Sequence, residues 1–269
     1  NGTGGDELFC GYGRYFQLPV EKKYLAVPAW MRRHMIEPAM DMIAPTDAWR
    51  LRRAEKFWGG RGDYLHDHTS QFPHPIRNLI GNHMASPQPA QRRAFPSTDV
   101  DPQTGALIAD LSTYLPEDLL LLLDRTSMAA SVEGRVPFLD HHLVEAALAV
   151  PPHIRTENNA QKALEREMAR NLLPDSVVNA PKQGFASPVG TWMERGLAAT
   201  AQRILTRRQS LDRGWWSKSG IDWLAADPRR HGFRLYSLMV LELCIRLHIE
   251  APLTTEAPTE SLQSFAEAA

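Results

Sequence analysis

The chain has 269 residues, 43% hydrophobic and 23% charged, which is ordinary globular usage and excludes a wholly disordered, collagen-like or low-complexity chain. Lys and Arg total 30 and Asp and Glu total 31, so the net charge of -1 gives no general attraction to nucleic acid or to an anionic membrane. Two cysteines, Cys10 and Cys244, are typical of reduced thiols in a cytoplasmic protein. The longest apolar run, Leu119 to Leu123, is far short of the ~20 residues that span a bilayer.

A glycine-rich motif, NGTGGDE, occupies residues 1–7. Its glycines permit positive φ and a close backbone approach to a ligand, and its two acidic residues favour the first turn of a helix. Motifs of this kind normally follow a strand, so we expect the chain to be a fragment whose N-terminal part is absent. Taken alone, the motif fits a phosphate-binding loop and a capped tight turn equally well.

The rest of the chain is predicted to be mainly α, because convincing alternating strands are almost absent. Prolines interrupt residues 17–84, where we predict short helices at residues 29–35 and 47–58. Residues 85–105 are predicted to be a loop, and the tail at residues 251–269 is predicted to be disordered. Later helices are predicted to start at Pro116 and to occupy residues 127–132, 142–150, 160–173, 189–207 and 236–250. In the last of these, Cys244 shares the three-four spacing of a core face.

Acidic residues and arginines alternate within an apolar setting at residues 124–140. For Asp124, Arg125 and Asp140 we favour an Arg–carboxylate network that fixes helix packing. Glu133 differs from these, because it follows an apolar helix and precedes Arg135 by two residues, a position from which it could face a cleft.

Lys182 lies in the segment PKQGF at residues 181–185. A lysine close to a glycine on a loop suits an anion as a point charge, and the alternative is an exposed surface amine. His66, Asp67, His68 and His74 match no standard zinc spacing, so no metal site is predicted. The basic residues at 50–56, between Trp49 and Trp58, are interpreted as a solvated helix face rather than an RNA-binding surface.

Taken together, these motifs resemble the synthetase domain of glutamine-dependent asparagine synthetases. The resemblance covers residues 1–16 and 106–195 and is carried by the segments GGDELF at 4–9, GY at 11–12, SMA at 127–129, EGRVPFLDH at 133–141, Lys162 with Leu164 and Arg166, LP at 173–174, PKQGF at 181–185 and PVG at 188–190. It implies that residues 1–250 are the C-terminal part of such a domain, with residues 17–105 as a variable insert. It also implies a remnant of an α/β fold of the ATP pyrophosphatase (adenine-nucleotide-hydrolase-like) type.

The resemblance implies ATP-dependent amidation of aspartate to asparagine through a β-aspartyl-AMP intermediate, with Mg²⁺ as a cofactor. Ammonia would come from glutamine, hydrolysed by a separate N-terminal domain. The implied enzyme is cytoplasmic, binds neither nucleic acid nor a membrane, and is compatible with a homodimer. The family's glutaminase domain and its Ser-Gly-Gly-x-Asp-Ser pyrophosphate loop are missing here, so we expect Mg²⁺ to be held mostly by the missing part and this fragment alone to be inactive.

The same resemblance assigns roles to individual residues. Lys182 would face the phosphates of the reacting ATP, and Glu133 would line the acceptor side of the site. ATP or the activated intermediate would contact the opening motif at Gly2, Thr3, Gly4 and Asp6, and the scaffold would be supported by Glu7, Arg135 and Asp140. Thr3 stands where the family usually has an acid, and Cys10 replaces a usual glycine.

Two other functions stay open at this point. The first is a related enzyme that adenylates another carboxylate, such as a β-lactam synthetase or a peptide macrocyclase. Thr3 leaves this function open, because those relatives diverge near the opening motif. The second is a non-catalytic interaction domain that kept the fold. The presence of Lys182 and Glu133 argues against it.

Overall fold

The computed structural model describes residues 1–44, 51, 54–55, 57–58, 72, 74–81, 100–182, 184, 187–251, 259 and 261–267. These residues form helices and turns, which confirms the prediction of a mainly α chain. No strand occurs within these ranges, so they give no support to the predicted α/β remnant. The predicted helix at 47–58 and the loop at 85–99 lie largely or wholly outside the described residues.

The helices, in chain order, are Gly5–Leu8 (α1), Pro19–Ala26 (α2), Ala29–Met31 (α3), Glu37–Ile43 (α4), His74–Ile80 (α5), Pro102–Ser112 (α6), Leu121–Met128 (α7), His141–Ala149 (α8), Pro152–Arg155 (α9), Ala163–Ala169 (α10), Asp175–Val178 (α11), Val189–Trp192 (α12), Ala198–Leu205 (α13), Arg208–Asp212 (α14), Lys218–Ala226 (α15), Pro228–Ile245 (α16) and Leu262–Glu267 (α17). Short 3₁₀ turns occupy Gly13–Tyr15, Pro137–Leu139 and Glu157–Asn159. Wider π turns occupy Arg32–Ile36, Leu115–Leu120, Met193–Leu197 and Arg246–Glu250.

The chain divides into two compact units. Unit 1 comprises Asn1–His68 and Gln88–Gln183, and unit 2 comprises Thr69–Pro87 and Gly184–Ala269. This division differs from the predicted single domain over residues 1–250, which stays a prediction.

Two prolines lie within helical segments that the sequence predicted them to break or to open. Pro38 is the second residue of α4, directly after the π turn Arg32–Ile36, and Pro116 is the second residue of the π turn Leu115–Leu120. A π turn interrupts the regular i to i−4 hydrogen-bond ladder, and a proline, which has no N–H to donate, is tolerated at such an interruption. The helical segment around Pro116 therefore does not start there.

Capping residues account for other differences from the predicted boundaries. Asp101 accepts a hydrogen bond from the Thr104 N–H at 2.9 Å, so residues 102–105, predicted as loop, already belong to α6. Asp227 accepts from the Arg230 N–H at 3.2 Å, and α16 therefore starts eight residues before the predicted Tyr236. The helix predicted over 127–132 instead ends at Met128, and Ser131 has a φ of 56°.

Unit 1 has two small cores. One contains Leu8, Phe9 and Ala147, which brings α1 against α8. The other places α6 against the segment after α1 and contains Cys10, Tyr15, Phe16, Phe57, Ala106, Leu107 and Ala109. Burial raises the pKa of the Cys10 thiol to about 12, so this cysteine is a protonated core residue at neutral pH.

Unit 2 has one larger core around α16, which α13 and α15 contact. The face of α16 that packs into this core includes Leu235, Leu238, Met239 and Ile245, whereas Cys244 is exposed. The prediction that Cys244 is a core residue is therefore wrong. Glu242 lies on the core face instead. Because a glutamate is not expected there, the apolar spacing of the sequence indicates a core face that is shifted toward Cys244.

Glu242 is fully buried because two guanidinium groups neutralise it. Arg213 and Arg246 each donate to one of its carboxylate oxygens at 2.6 Å. Burial alone would raise the pKa of Glu242, but hydrogen bonds from Ser210, Arg246 and Arg213 outweigh burial and hold it below its usual value.

The segment predicted as a disordered tail contains a helix, α17. Ala266 of this helix is buried and Phe265 packs on the core of unit 2. Arg207 also donates a hydrogen bond to the Ala266 carbonyl. The prediction of disorder therefore does not hold for residues 262–267, because a few apolar residues in a polar segment are enough to dock it.

Helix α7, which contains the end of the five-leucine run, has no buried residue. Leu122 is 59% exposed, and elsewhere in unit 1 Leu172 is 80% exposed. None of the described helices is both long and apolar enough to cross a membrane. The leucine run therefore adds apolar surface to unit 1 rather than a core.

We expect the 269-residue chain to bind the dye ANS and to self-associate, because exposed apolar surface of this kind promotes association. Replacing Leu121 and Leu122 with Glu should lower ANS fluorescence and shift size-exclusion elution toward the monomer. Thr126→Glu, which adds charge on the same helix without removing apolar surface, is the control. A monodisperse, ANS-silent wild-type monomer would contradict this prediction.

Candidate functional site

The opening motif forms a tight turn that leads into α1. Gly4 is the N-cap residue of α1 with a φ of +95°, in the left-handed region that favours glycine. A Cβ at this position would collide with the side chain of Leu139, which lies on the 3₁₀ turn Pro137–Leu139. The turn therefore requires glycine both for its backbone conformation and for the close approach of Leu139.

The Asp6 carboxylate, in the first turn of α1, lies between two ammonium groups. Lys182 Nζ donates a hydrogen bond to Asp6 Oδ2 at 2.6 Å. Lys162 Nζ lies 3.1 Å from Asp6 Oδ1 and 3.0 Å from Glu165 Oε2. Asp6 and Lys182, two residues that the sequence assigned to the same site, thus meet directly although 176 positions separate them.

Three backbone contacts place the two lysines beside Asp6. The Lys162 N–H donates to the Phe9 carbonyl at 3.1 Å, which ties the start of α10 to the residue that follows α1. Arg166, one turn further along α10, donates to the carbonyls of Val178 and Ala180 at 2.9 and 2.7 Å. Because Ala180 is two residues before Lys182, Arg166 anchors the segment that carries this lysine.

The opposite charges in this cluster shift the pKa of two groups. Burial alone would raise the pKa of Asp6, but the hydrogen bond from Lys182 and the charge of Lys162 outweigh burial and hold this pKa below its usual value. Burial alone would lower the pKa of Lys162, but Glu165 and Asp6 hold it above its usual value. At neutral pH Asp6 is therefore an anion and Lys162 a cation.

Glu7 lies on the buried side of the same turn. Its carboxylate accepts a hydrogen bond from the Tyr12 hydroxyl at 2.6 Å, and burial raises the pKa of Glu7 above its usual value. Arg14 stacks on Tyr12, with its guanidinium carbon 4.0 Å from the ring centroid, and pairs with the buried Asp110 at 2.8 Å. Glu7 thus faces a network behind the turn, and its role as structural support stays a prediction.

The structure does not bring Glu133 to the Asp6–Lys182 pair. Glu133 pairs with Arg135 at 3.0 Å, and their side chains are 70% and 81% exposed. Asp140 caps α8 by accepting from the His142 and Leu143 N–H groups at 3.0 and 3.4 Å. The roles predicted for these three residues stay predictions.

The first residues of the chain form a small polar corner. The hydroxyl and the N–H of Thr3 donate to Asn1 Oδ1 at 2.6 and 2.8 Å. The space next to Gly2 is open, since nothing lies within 4 Å of the position that a Cβ would take. The part of the motif before Gly4 therefore has room for a ligand to approach the backbone.

Sequence reasoning gave no separate role to Lys162, although this residue contributes half of the positive charge at Asp6. Its φ of 56° is rare for a lysine and follows no sequence rule, so its place beside Phe9 was not predictable. The acidic residue three positions later, Glu165, was the available signal for a charge pair at the start of a helix.

Among the described residues, no group of three His, Cys, Asp or Glu side chains is arranged to hold a metal ion. The Asp6 carboxylate, the acidic group closest to the turn, is already neutralised by two ammonium groups. These residues by themselves therefore do not fit Mg²⁺. The histidines at 66 and 68, Asp67 and the basic residues at 50, 52, 53 and 56 lie outside the described residues, as do Gln183 and Phe185.

Comparisons with known proteins agree with the motifs. The family model for asparagine synthase matches residues 1–252. The chain is similar to asparagine synthetase (glutamine-hydrolyzing) 1 of Bacillus subtilis, with 26% identity over 78% of this chain and 34% of that protein. It is also similar to asparagine synthetase (glutamine-hydrolyzing) 3 of the same organism, with 31% identity over 78% of this chain and 30% of that protein.

A relative with a different name is amidase chry2 of Gibberella zeae, with 29% identity over 45% of this chain and 18% of that protein. No solved structure gives a significant match. The chain thus spans about a third of the length of the two Bacillus relatives.

The Asp6 charge cluster predicts a pH-dependent contribution to stability. Because its folded pKa is below the ordinary value of 3.8, Asp6 stabilises the fold fully above that value and loses this contribution as the pH falls through the folded pKa. Asp6→Asn should lower the free energy of unfolding by roughly 1–2 kcal/mol at pH 7, and the difference from wild type should shrink below pH 3.8.

Urea unfolding followed by circular dichroism at several pH values would measure this difference. Asp212→Asn, which breaks an exposed pair with Arg208, is the control and should cost little at any pH. A pH-independent difference between wild type and Asp6→Asn would contradict the assignment of Asp6 as a partly buried anion stabilised by the two lysines.

Proposed function

Since the chain belongs to the asparagine synthase family, we propose that the full-length protein is a ligase that amidates aspartate to asparagine with ATP. The other proposed partners are ammonia derived from glutamine and a second copy of the chain in a homodimer. The proposal includes Mg²⁺, a cytoplasmic setting, no nucleic acid and no membrane, and descent of this domain from an α/β ATP pyrophosphatase fold.

The proposed reaction has two steps. An oxygen of the aspartate side-chain carboxylate attacks the α-phosphorus of ATP, the bond to the bridging oxygen breaks and pyrophosphate leaves. Ammonia then attacks the acyl carbon of β-aspartyl-AMP, the carbon–oxygen bond breaks, AMP leaves and a proton is released. Both the α-phosphate and the departing pyrophosphate gain negative charge on the way, so a positioned cation stabilises the transition state.

The single observation that carries this proposal is the contact between Lys182 and Asp6 beside the glycine turn. It supports a site in which Asp6 holds the ammonium group of a loop lysine near the opening motif. The backbone of this motif is accessible at Gly2. In the proposed mechanism Lys182 turns from Asp6 to a phosphate oxygen and neutralises it as a point charge. Gly2, Thr3 and Gly4 then offer backbone close to the same ligand.

The described residues fit a phosphate better than a metal ion. Two ammonium groups, on Lys162 and Lys182, converge on one carboxylate, and the described part of the chain offers no group of three acidic or histidine ligands. No step of the mechanism proposed here for these residues therefore passes through Mg²⁺.

A second candidate is a related enzyme that activates a carboxylate other than that of aspartate. The similarity to amidase chry2 favours it, as does Thr3 in the opening motif. Pyrophosphate release that requires aspartate favours the first proposal, whereas release only with another carboxylic acid favours the second.

We expect Lys182→Ala in the full-length protein to lower pyrophosphate release with ammonia as nitrogen source by roughly a hundredfold or more, because one preorganised charge is lost. Glutamine hydrolysis should be largely intact. Lys182→Arg should restore only part of the rate, since a planar guanidinium differs from a compact ammonium group.

Lys218→Ala is the matched control, since Lys218 is an exposed lysine of unit 2 that pairs with the nearby Asp222. This variant should behave like wild type. If Lys182→Ala keeps near-normal pyrophosphate release, Lys182 has no catalytic role and the proposed function loses the observation that carries it.

A further inference from the structure

The two lysines at Asp6 contact it in different ways. Lys182 makes an aligned hydrogen bond to Oδ2 at 2.6 Å. Lys162 is close to Oδ1 at 3.1 Å, yet the buried Oδ1 has no aligned hydrogen-bond partner. The Glu165 oxygen that faces Lys162 at 3.0 Å is likewise buried without an aligned partner. Lys162 thus lies between two carboxylates as a shared counter-ion.

The surroundings of the two lysines differ as well. Lys162 is fixed at its backbone, because its N–H bonds to the Phe9 carbonyl and the next residue starts α10. Lys182 follows Pro181 on a segment outside the helices, and its anchor through Arg166 ends two residues earlier at Ala180. Of the two ammonium groups, that of Lys182 is therefore the one placed to leave Asp6.

Departure of Lys182 has an electrostatic cost that Lys162 reduces. A largely buried carboxylate that loses its partner retains an uncompensated charge, which is unfavourable. The Lys162 ammonium remains beside Oδ1 and needs only a small reorientation to form an aligned hydrogen bond there. Asp6 then stays neutralised although Lys182 has moved.

We propose that Lys162 is a positioning residue. It keeps Asp6 neutralised while the side chain of Lys182 moves, so that its ammonium group exchanges Asp6 for a phosphate of the substrate. The inference rests on the proposed function for the identity of that substrate. The exchange between the two lysines is a property of the charge cluster and is measurable without any substrate. Without Lys162, Asp6 holds Lys182 more tightly.

The first test measures how readily Lys182 leaves Asp6 in the full-length protein. Acetic anhydride labels free amines, and mass spectrometry of the peptide that carries Lys182 gives its labelling rate relative to Lys218. We expect Lys162→Gln to lower the relative rate about fivefold, a typical effect of one charge-assisted contact. Lys162→Arg should restore it, because a guanidinium keeps the charge beside Asp6.

Two further variants separate this role from a merely structural one. Asp6→Asn should raise the labelling rate of Lys182, and adding Lys162→Gln to Asp6→Asn should change it no further. Glu165→Gln frees Lys162 from its second carboxylate, so it should raise the labelling rate, and it tests the proposal even if Lys162→Gln does not fold. An unchanged or raised rate in folded Lys162→Gln, or no rise in Glu165→Gln, would overturn the proposal.

The second test measures pyrophosphate release with aspartate and ammonia. Lys162→Gln should raise the KM for ATP or lower kcat about fivefold in folded protein, and Lys162→Arg should restore the wild-type values. Wild-type activity in Lys162→Gln would overturn the positioning role. If wild type itself releases no pyrophosphate with aspartate, the proposed function fails, and the labelling series still decides whether Lys162 controls Lys182 through Asp6.

Discussion

Everything around the candidate site depends on the sharing of one carboxylate by two ammonium groups. Asp6 joins three parts of unit 1 that are far apart in sequence: the opening turn, the start of α10 and the segment that follows α11. A carboxylate with one partner would be a simple ion pair, whereas a carboxylate with two partners permits exchange between them. Partial burial strengthens both ion pairs, because solvent screens partly buried charges less than exposed ones.

Packing around Asp6 leaves little freedom to move the carboxylate. On one side Leu139 presses against Gly4, and behind the turn Glu7, Tyr12 and Arg14 form a buried network. Lys162 is held by the Phe9 carbonyl. The fixed parts of the site are thus built from unit 1 backbone and packed side chains, and the charge that we propose to move is on Lys182, which follows Pro181.

Local motifs and the family resemblance selected residues that meet in the structure, but they did not predict the geometry of the candidate site. Gly4, Asp6 and Lys182 follow from glycine and charge patterns together with the family resemblance, and the structure places Asp6 and Lys182 in contact. Lys162 was not predictable in this role, because its position depends on a positive φ and on a hydrogen bond to a residue more than 150 positions away. Glu133 is exposed and pairs with Arg135, away from any contact with Asp6 or Lys182, and its role at the acceptor side stays a prediction.

The same limits apply to the fold. The mainly α class and the approximate bounds of α8 followed from spacing. The Asp140 cap of α8 was not predicted, and Cys244 was assigned to the core because a buried Glu242 between two arginines does not look apolar in the sequence. The sequence predicts a break at Pro38 and a helix start at Pro116, whereas π turns let both prolines lie within helical segments. Whether a proline lies inside a helix, and which helix face is buried, depends on neighbouring turns and on charged residues distant in sequence. Neither can be read from a short stretch of sequence.

Residues 10 and 11 differ in how a change of side chain would affect the structure. Cys10 has a φ of 55°, yet its side chain is accommodated in a core, so a substitution at this position changes both backbone strain and packing. At Gly11 any Cβ would collide with the Asp6 carboxylate. A substitution at residue 10 therefore alters stability. A side chain at residue 11 would instead displace the Asp6 carboxylate and break its contacts with both lysines. The absence of a side chain at residue 11 is therefore a condition for both ion pairs of Asp6.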